Sequence, residues 1–316
     1  MGGPAIPLAI LGGSDLRPGL APSGSGRLLT GYKAVDLQLE GRPLLLHLVE
    51  RFRACGAFDP ISVAGPARVY AGLDPGLRLI DTDADVGTNV RAVVDDFLAH
   101  HERGALAVVT CDVLPSVAEL EGLMGEYRAG RPCDLWFPLV RAPRDPRELG
   151  AFGWKPEYGL VPEPGRPAVR ILPGHLVIAD PRALRLDLFY RLTHAAYRTR
   201  NRPVRARQGS MLRSVLLGLL LQDLRHLFAL RPPVLTWTVL RNGLALAREL
   251  RAGGQTRAEF ERRVGRIVLS ARHRRAHPER GVRMPIVEAI GMAADIDTDE
   301  EARAIGARPA PAAGAE

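Results

Sequence analysis

The apolar run Ala5–Leu11, AIPLAIL, ends abruptly in Gly12-Gly13, and this junction constrains the chain more than any other feature. A run without polar alternation reads as a strand buried on both faces, the condition of a central strand in a parallel sheet. The residues that follow keep to that plan. Leu44–Cys55, LLLHLVERFRAC, places apolar residues at helical spacing, and Pro60–Gly65, PISVAG, supplies a second strand. Strand, helix, strand in that order predicts a βαβ unit. The alternation continues with a strand at Arg78–Thr82 and a helix at Asn89–His100, whose apolar side carries Val90, Val93, Val94, Phe97 and Leu98. Ala105–Thr110, ALAVVT, is a further buried strand; Val117–Tyr127 is a helix and Asp134–Leu139 a strand.

Beyond residue 140 the character changes. Residues 141–170 are rich in proline, glycine and charge, which predicts a loop or an edge hairpin able to cover a site. Val169–Ala179 returns to the sheet, and from about Asp187 to Gly265 long helical patterns dominate. At 316 residues the chain accommodates one large α/β domain carrying a helical appendage. The expected organisation is a single domain over residues 1–303, with a helical subdomain inserted at about 187–275. The alanine- and proline-rich residues 304–316 are expected to be a disordered tail.

Composition narrows the class. Apolar residues at 46% and charged residues at 25% are values of a folded globular chain. The cysteines Cys55, Cys111 and Cys133 are odd in number and widely spaced, so neither a disulfide framework nor a zinc site is indicated, and a reducing cytoplasm fits. The N-terminus has no basic segment ahead of its apolar run and does not read as a signal peptide. No stretch approaches the roughly 20 apolar residues that a membrane span needs.

The formal charge of +8 is carried almost wholly by arginine, since lysine occurs only at Lys33 and Lys155. A GC-rich genome writing arginine for lysine accounts for this, as does an anionic partner. A lysine kept at position 33 is therefore informative. The basic stretches RTRNRPVRARQ and SARHRRAHPERGVR read as solvated helical faces, or as a surface for an anionic membrane or a partner. No nucleic-acid partner is expected.

Three segments are candidates for chemistry. LGGSDLR, residues 11–17, follows the first strand, and a glycine turn there lets backbone N–H groups approach phosphate oxygens while Arg17 and Lys33 neutralise charge. The same turn also serves as an ordinary strand-to-helix connection, and neither a Walker A loop nor GxGxxG is present. Asp112 follows a strand expected to be central, at the carboxyl end where ligands of open α/β sheets sit. It suits a phosphate-bound magnesium, or the N-cap of the next helix. In ADIDTDEEA, residues 294–302, Thr298 and the acids after it predict a capped helix. Asp295 and Asp297, two apart, would face the same side of an extended segment.

In this order the segments resemble the GT-A-like nucleotidyltransferases, in particular the branch of the molybdenum cofactor guanylyltransferases. LGGSDLR, Tyr32-Lys33, LEGRPLLLHLVERFRACG, VVTCDVLP and DIDTDEEA carry the resemblance, from residue 8 to about 303. It implies a Rossmann-like three-layer α/β/α fold with a mostly parallel central sheet and a helical insertion in the C-terminal half. It also implies transfer of a nucleoside monophosphate from an NTP, GTP or CTP, to a phosphorylated small-molecule acceptor, with magnesium as cofactor.

Carried over residue by residue, Leu11, Gly12, Gly13 and Ser14 would hold the nucleotide, Arg17 and Lys33 the triphosphate, and Asp112 with Asp297, or alternatively Asp295, the metal. Thr88 and Asn89 would face the base, or cap their helix. The sequence departs from the pattern in the long SGSG-rich loop before Lys33, in Asp299 where proline is usual, and in His175 within PGHLVI, where relatives carry a Gly-Asn segment. A nucleotide-sugar glycosyltransferase and an inactive nucleotide-binding protein are the competing readings.

Overall fold

The computed structural model describes residues 3–13, 31–143, 158–199, 219–220, 223–224, 228, 235–252 and 254–306. Its elements run β1 (Ile6–Leu11), α1 (Lys33–Asp36), β2 (Gln38–Leu39), β3 (Arg42–Pro43), α2 (Leu44–Cys55), β4 (Phe58–Gly65), α3 (Ala67–Tyr70), β5 (Arg78–Asp81), α4 (Val86–His100), β6 (Leu106–Thr110) and α5 (Val117–Ala129). They continue through β7 (Leu135–Trp136), β8 (Leu139–Arg141), β9 (Tyr158–Leu160), β10 (Val169–Pro173), β11 (Leu176–Ala179) and α6 (Leu186–Thr199). Helices Leu235–Ala252, Arg257–Val268 and Ala271–Ala276 follow, then β12 (Val282–Arg283), β13 (Ile286–Val287) and a last helix, Asp299–Gly306.

The apolar runs pair as a mostly parallel seven-stranded sheet in the order β12-β7-β11-β6-β1-β4-β5. β1 is parallel to both β4 and β6, and β4 to β5. β11 is the antiparallel exception, between β6 and β7. Helices cover both faces because β1 is apolar on both. Leu8 and Ile10 point into a core with Leu45, Leu48 and Phe52 of α2 and Leu120 and Met124 of α5. Ala9 and Leu11 point the other way, toward Val90, Val94 and Phe97 of α4. The result is the expected three-layer α/β/α arrangement.

Two stretches differ from their sequence reading. Val169–Ala179 is not one strand: β10 joins a second sheet, β13-β8-β10-β9, and only β11 enters the main one. The crossing is made at Gly174, whose N–H donates to the Pro138 carbonyl at 3.0 Å and whose missing Cβ would lie 2.8 Å from that same oxygen. Likewise Asp134–Leu139 divides at Phe137-Pro138 into β7 in the main sheet and β8 in the second.

Helix Arg257–Val268 packs Phe260 and Val264 against the second sheet's Leu139, Leu160 and Ile171. The last helix runs to Gly306, three residues past the expected end of order, because Ala302 and Ile305 are buried in the main core. Residues 307–316 lie outside the described residues. No helix among those described is long and apolar enough to cross a membrane.

Candidate active site

β1, β4 and β6 end side by side, with Leu11 in register with both Ala64 and Thr110. The next residues, Gly12 and Cys111, therefore open the carboxyl edge of the sheet. Gly12 is held from two sides: its N–H donates to the Ala64 carbonyl at 2.9 Å, and its carbonyl accepts a 2.5 Å hydrogen bond from the Tyr70 hydroxyl. A Cβ at Gly12 would fall 2.8 Å from the Tyr70 ring, and one at Gly13 would fall 2.6 Å from the Asn89 amide nitrogen. Since the Gly12 N–H is committed to the sheet, any donors that this turn offers a ligand begin at Gly13. Ser14 and Arg17 lie outside the described residues.

Thr88 and Asn89 stand on the first turn of α4. The cap there is Asp85, which accepts from the Gly87 and Thr88 N–H groups. Asn89 is fully buried, accepting from the Thr82 hydroxyl at 2.9 Å and donating to the Ala84 carbonyl at 3.1 Å. It braces the loop against which Gly13 rests. Thr88 is exposed at the helix N-terminus.

Lys33 opens α1 and forms an ion pair with Asp297. Burial works to lower its pKa, but the Asp112 and Asp297 carboxylates outweigh that and hold it above the usual lysine value. Around it, the Tyr32 hydroxyl donates to Asp83 at 3.0 Å, and Arg68 reaches both Asp83 and the Tyr32 oxygen at 2.5 Å.

Asp112 follows β6 directly. Its carbonyl accepts from the N–H of Ile296 at 2.7 Å, which stitches the closing segment to the sheet edge. With Ile296 fully buried, Asp295 and Asp297 lie on the side toward the site. They then part company. Asp297 turns to Lys33, while Asp295 Oδ1 lies 2.9 Å from Nε2 of His175. The other ring nitrogen of His175, Nδ1, is 2.7 Å from the Thr110 hydroxyl and 3.7 Å from Asp112 Oδ1. Asp112, His175 and Asp295 thus present three ligand atoms within 4.8 Å of one another.

The N-cap of α5 is Ser116, in a reciprocal pair with Glu119, so Asp112 has no capping duty. Its Oδ1 is shielded from solvent and has no hydrogen-bond partner, a costly arrangement that a bound cation would resolve. The donor set fits a divalent ion. The two carboxylates are ligands for a hard cation, while the imidazole adds a preference for softer transition ions over magnesium.

Sequence reasoning brought Lys33, Asp112, Asp295 and Asp297 to one edge, and the structure places all four there. It left His175 outside the expected ligand set, whereas the structure sets it within reach of Asp112 and Asp295. The signal available was its departure from the Gly-Asn pattern; the pairing of β11 with β6, which sets His175 beside Thr110, is not visible locally.

No family model and no curated protein matches this sequence. Solved structures similar to it include a CMP:2-keto-3-deoxy-manno-octonic acid synthetase complexed with CTP, at 13% identity over 68% of this chain and 86% of that one, with a TM-score of 0.41. Another is a 4-diphosphocytidyl-2C-methyl-D-erythritol synthase, at 12% identity over 61% and 80%, with a TM-score of 0.38. A third is HddC from Yersinia pseudotuberculosis complexed with GMP-PN, at 15% identity over 58% and 79%, with a TM-score of 0.38.

Proposed function

We propose that this chain is a nucleotidyltransferase that moves a nucleoside monophosphate from an NTP to a phosphorylated small-molecule acceptor. The observation that carries this reading is the meeting of Gly13, Lys33, Asp112 and Asp295 at one sheet edge. A glycine turn, a fixed cation and an unsatisfied carboxylate converge there from four distant segments. The motif order shared with the molybdenum cofactor guanylyltransferases supports the same class, with GTP or CTP as donor.

In this reaction an acceptor phosphate oxygen forms a bond to the α-phosphorus, and the bond from that phosphorus to the bridging oxygen breaks, its electron pair leaving on pyrophosphate. Asp112 and Asp295, with His175, would hold a divalent ion. When bound, it supplies charge neutralisation at the α-phosphate.

The chain's own groups position and neutralise. Lys33 keeps its proton and faces the charge gathering on the leaving pyrophosphate. Gly13 lets the turn approach the phosphates, and Asn89 and Tyr70 keep it in place. An acceptor phosphate already ionised at neutral pH requires no general base, which suits a site whose histidine is engaged by Thr110 and Asp295.

Thermal-shift titration with each NTP and a divalent cation tests the donor half, because a ligand that binds only the folded chain stabilises it by mass action. The expected result is a rise in Tm with at least one NTP; no rise with any of them refutes the reading. Pyrophosphate release on adding a phosphorylated acceptor then separates an enzyme from a nucleotide binder.

A further inference from the structure

A cavity of about 270 Å3 lies beneath the His175 end of the site, between the sheet and the α4–α6 layer. Its floor is built by two adjacent antiparallel strands. Leu106, Val108 and Thr110 alternate onto one face of β6, and Val177 pairs with Val108 and Ala179 with Leu106. Continuing that register sets His175 beside Thr110, so the floor is apolar along its length and polar only at the end that meets Asp112 and Asp295. The roof is Val86, Val90 and Val94, at helical spacing on α4, with Phe189 of α6.

Two features show that this is not ordinary core. Val108 and Val177 belong to interior strands of the seven-stranded sheet yet are only half-buried. The volume is also nearly twice the roughly 150 Å3 of an apolar cavity that stays dry and takes up benzene. The space opens to solvent, so its apolar lining lacks the packing partners that an apolar ligand would supply.

We propose that the cavity is a hydrocarbon-chain site, and that its occupant is a single-chain amphiphile with an anionic phosphate head. The chain would lie along Val108 and Val177, and the head would emerge at Thr110 and His175, beside the carboxylates that would hold a cation and within the field of Lys33. A soluble sugar phosphate leaves this apolar floor without a partner; an alkyl or prenyl-type phosphate covers it. That the head group is the acceptor of nucleotidyl transfer rests on the function proposed above, whereas the chain site does not.

Calorimetric titration of butyl, hexyl and octyl phosphate, with a divalent cation present, tests this. Burial of each added methylene strengthens binding by about fourfold, so octyl phosphate, with four more methylenes, binds roughly 250-fold more tightly than butyl phosphate. Methyl spectra of the labelled protein should show Val90 and Val177 responding to octyl phosphate. In Val177→Phe, or in Val90→Met on the opposite wall, the gain with chain length disappears.

Affinity independent of chain length in the unaltered protein overturns the proposal. So does a chain-length gain that survives in a folded cavity-filling variant, because it would place binding on the exposed Leu220, Leu224, Phe228, Trp237 and Leu244 instead. NTP-induced thermal shifts measured alongside keep the two readings apart. Alkyl phosphate binding without any NTP shift leaves the chain site standing and removes the transferase reading, and the reverse result does the opposite.

Discussion

The Tyr70 hydroxyl donates a 2.5 Å hydrogen bond to the Gly12 carbonyl, and the Tyr70 ring fills the space that a Cβ at Gly12 or Gly65 would take. The glycine turn is therefore shaped as much by a side chain 58 residues away as by its own backbone. Tyr70→Phe leaves a buried carbonyl unsatisfied and should cost about 1–3 kcal/mol in urea unfolding. Gly12→Ala must displace the ring; it should lower stability and also abolish the NTP-induced rise in Tm. An alanine variant that binds NTP as tightly as the parent would detach this turn from the site.

Asp112→Asn keeps the shape of the side chain and removes a charge that has no hydrogen-bond partner at Oδ1. Stability should change little, because relief from the neighbouring Asp295 carboxylate offsets the attraction to Lys33 that is lost. Turnover should fall by at least roughly 10²–10³-fold. Pyrophosphate release and a melting curve on the same preparation check both halves; full activity in a folded variant rejects the ligand role.

His175 stands between two carboxylates, so the candidate metal site should prefer a transition ion. Calorimetry should rank Co2+ or Zn2+ above Mg2+ for the parent, and His175→Asn should narrow that gap while keeping magnesium binding. Equal narrowing in Asp112→Asn and His175→Asn would show that the imidazole contributes nothing specific.

Lys33 should hold its charge across the working pH range. A lysine whose folded pKa is raised contributes stability that is fully present below its unfolded pKa and is lost as pH rises through the folded one. For Lys33 that loss begins only above about pH 10. Activity that changes between about pH 6 and 9 must belong to another group. Lys33→Met should therefore lower kcat/KM for NTP by a factor nearly constant over that interval, read from pH–rate profiles of the two proteins.

Cys111 adjoins Asp112, and its thiol is held against ionisation. Burial, reinforced by the neighbouring Asp112 carboxylate, pushes its thiol up to about 12. Iodoacetamide at pH 8 should leave it unmodified in the folded protein, as peptide mass analysis will report, and should label it after unfolding.

Much of the architecture is legible in local pattern. Leu44–Cys55 forms a helix with the bounds its periodicity predicts, and the apolar runs around residues 8, 63 and 108 are the three parallel strands at the centre of the sheet. Each of these depends on burial repeated at short range. The division of Val169–Ala179 between two sheets was not legible, because it turns on Gly174 meeting Pro138, 36 positions earlier in the chain. The α4 cap was misplaced for a related reason: Asp85, Thr88 and Asn89 are all capable caps, and burial of Asn89 against Thr82 assigns the role to Asp85.

By itself the sequence determined the alternating α/β plan, the glycine turn after β1 and the placing of Asp112 at a strand end, because periodicity and turn chemistry act over a few residues. Only the tertiary structure decided which acid meets which partner. Asp295 and Asp297 are equivalent in the local pattern, yet one faces His175 and the other Lys33. That choice is made by the Ile296 N–H bonding to the Asp112 carbonyl and by the antiparallel entry of β11 beside β6, two contacts between segments that no local pattern connects.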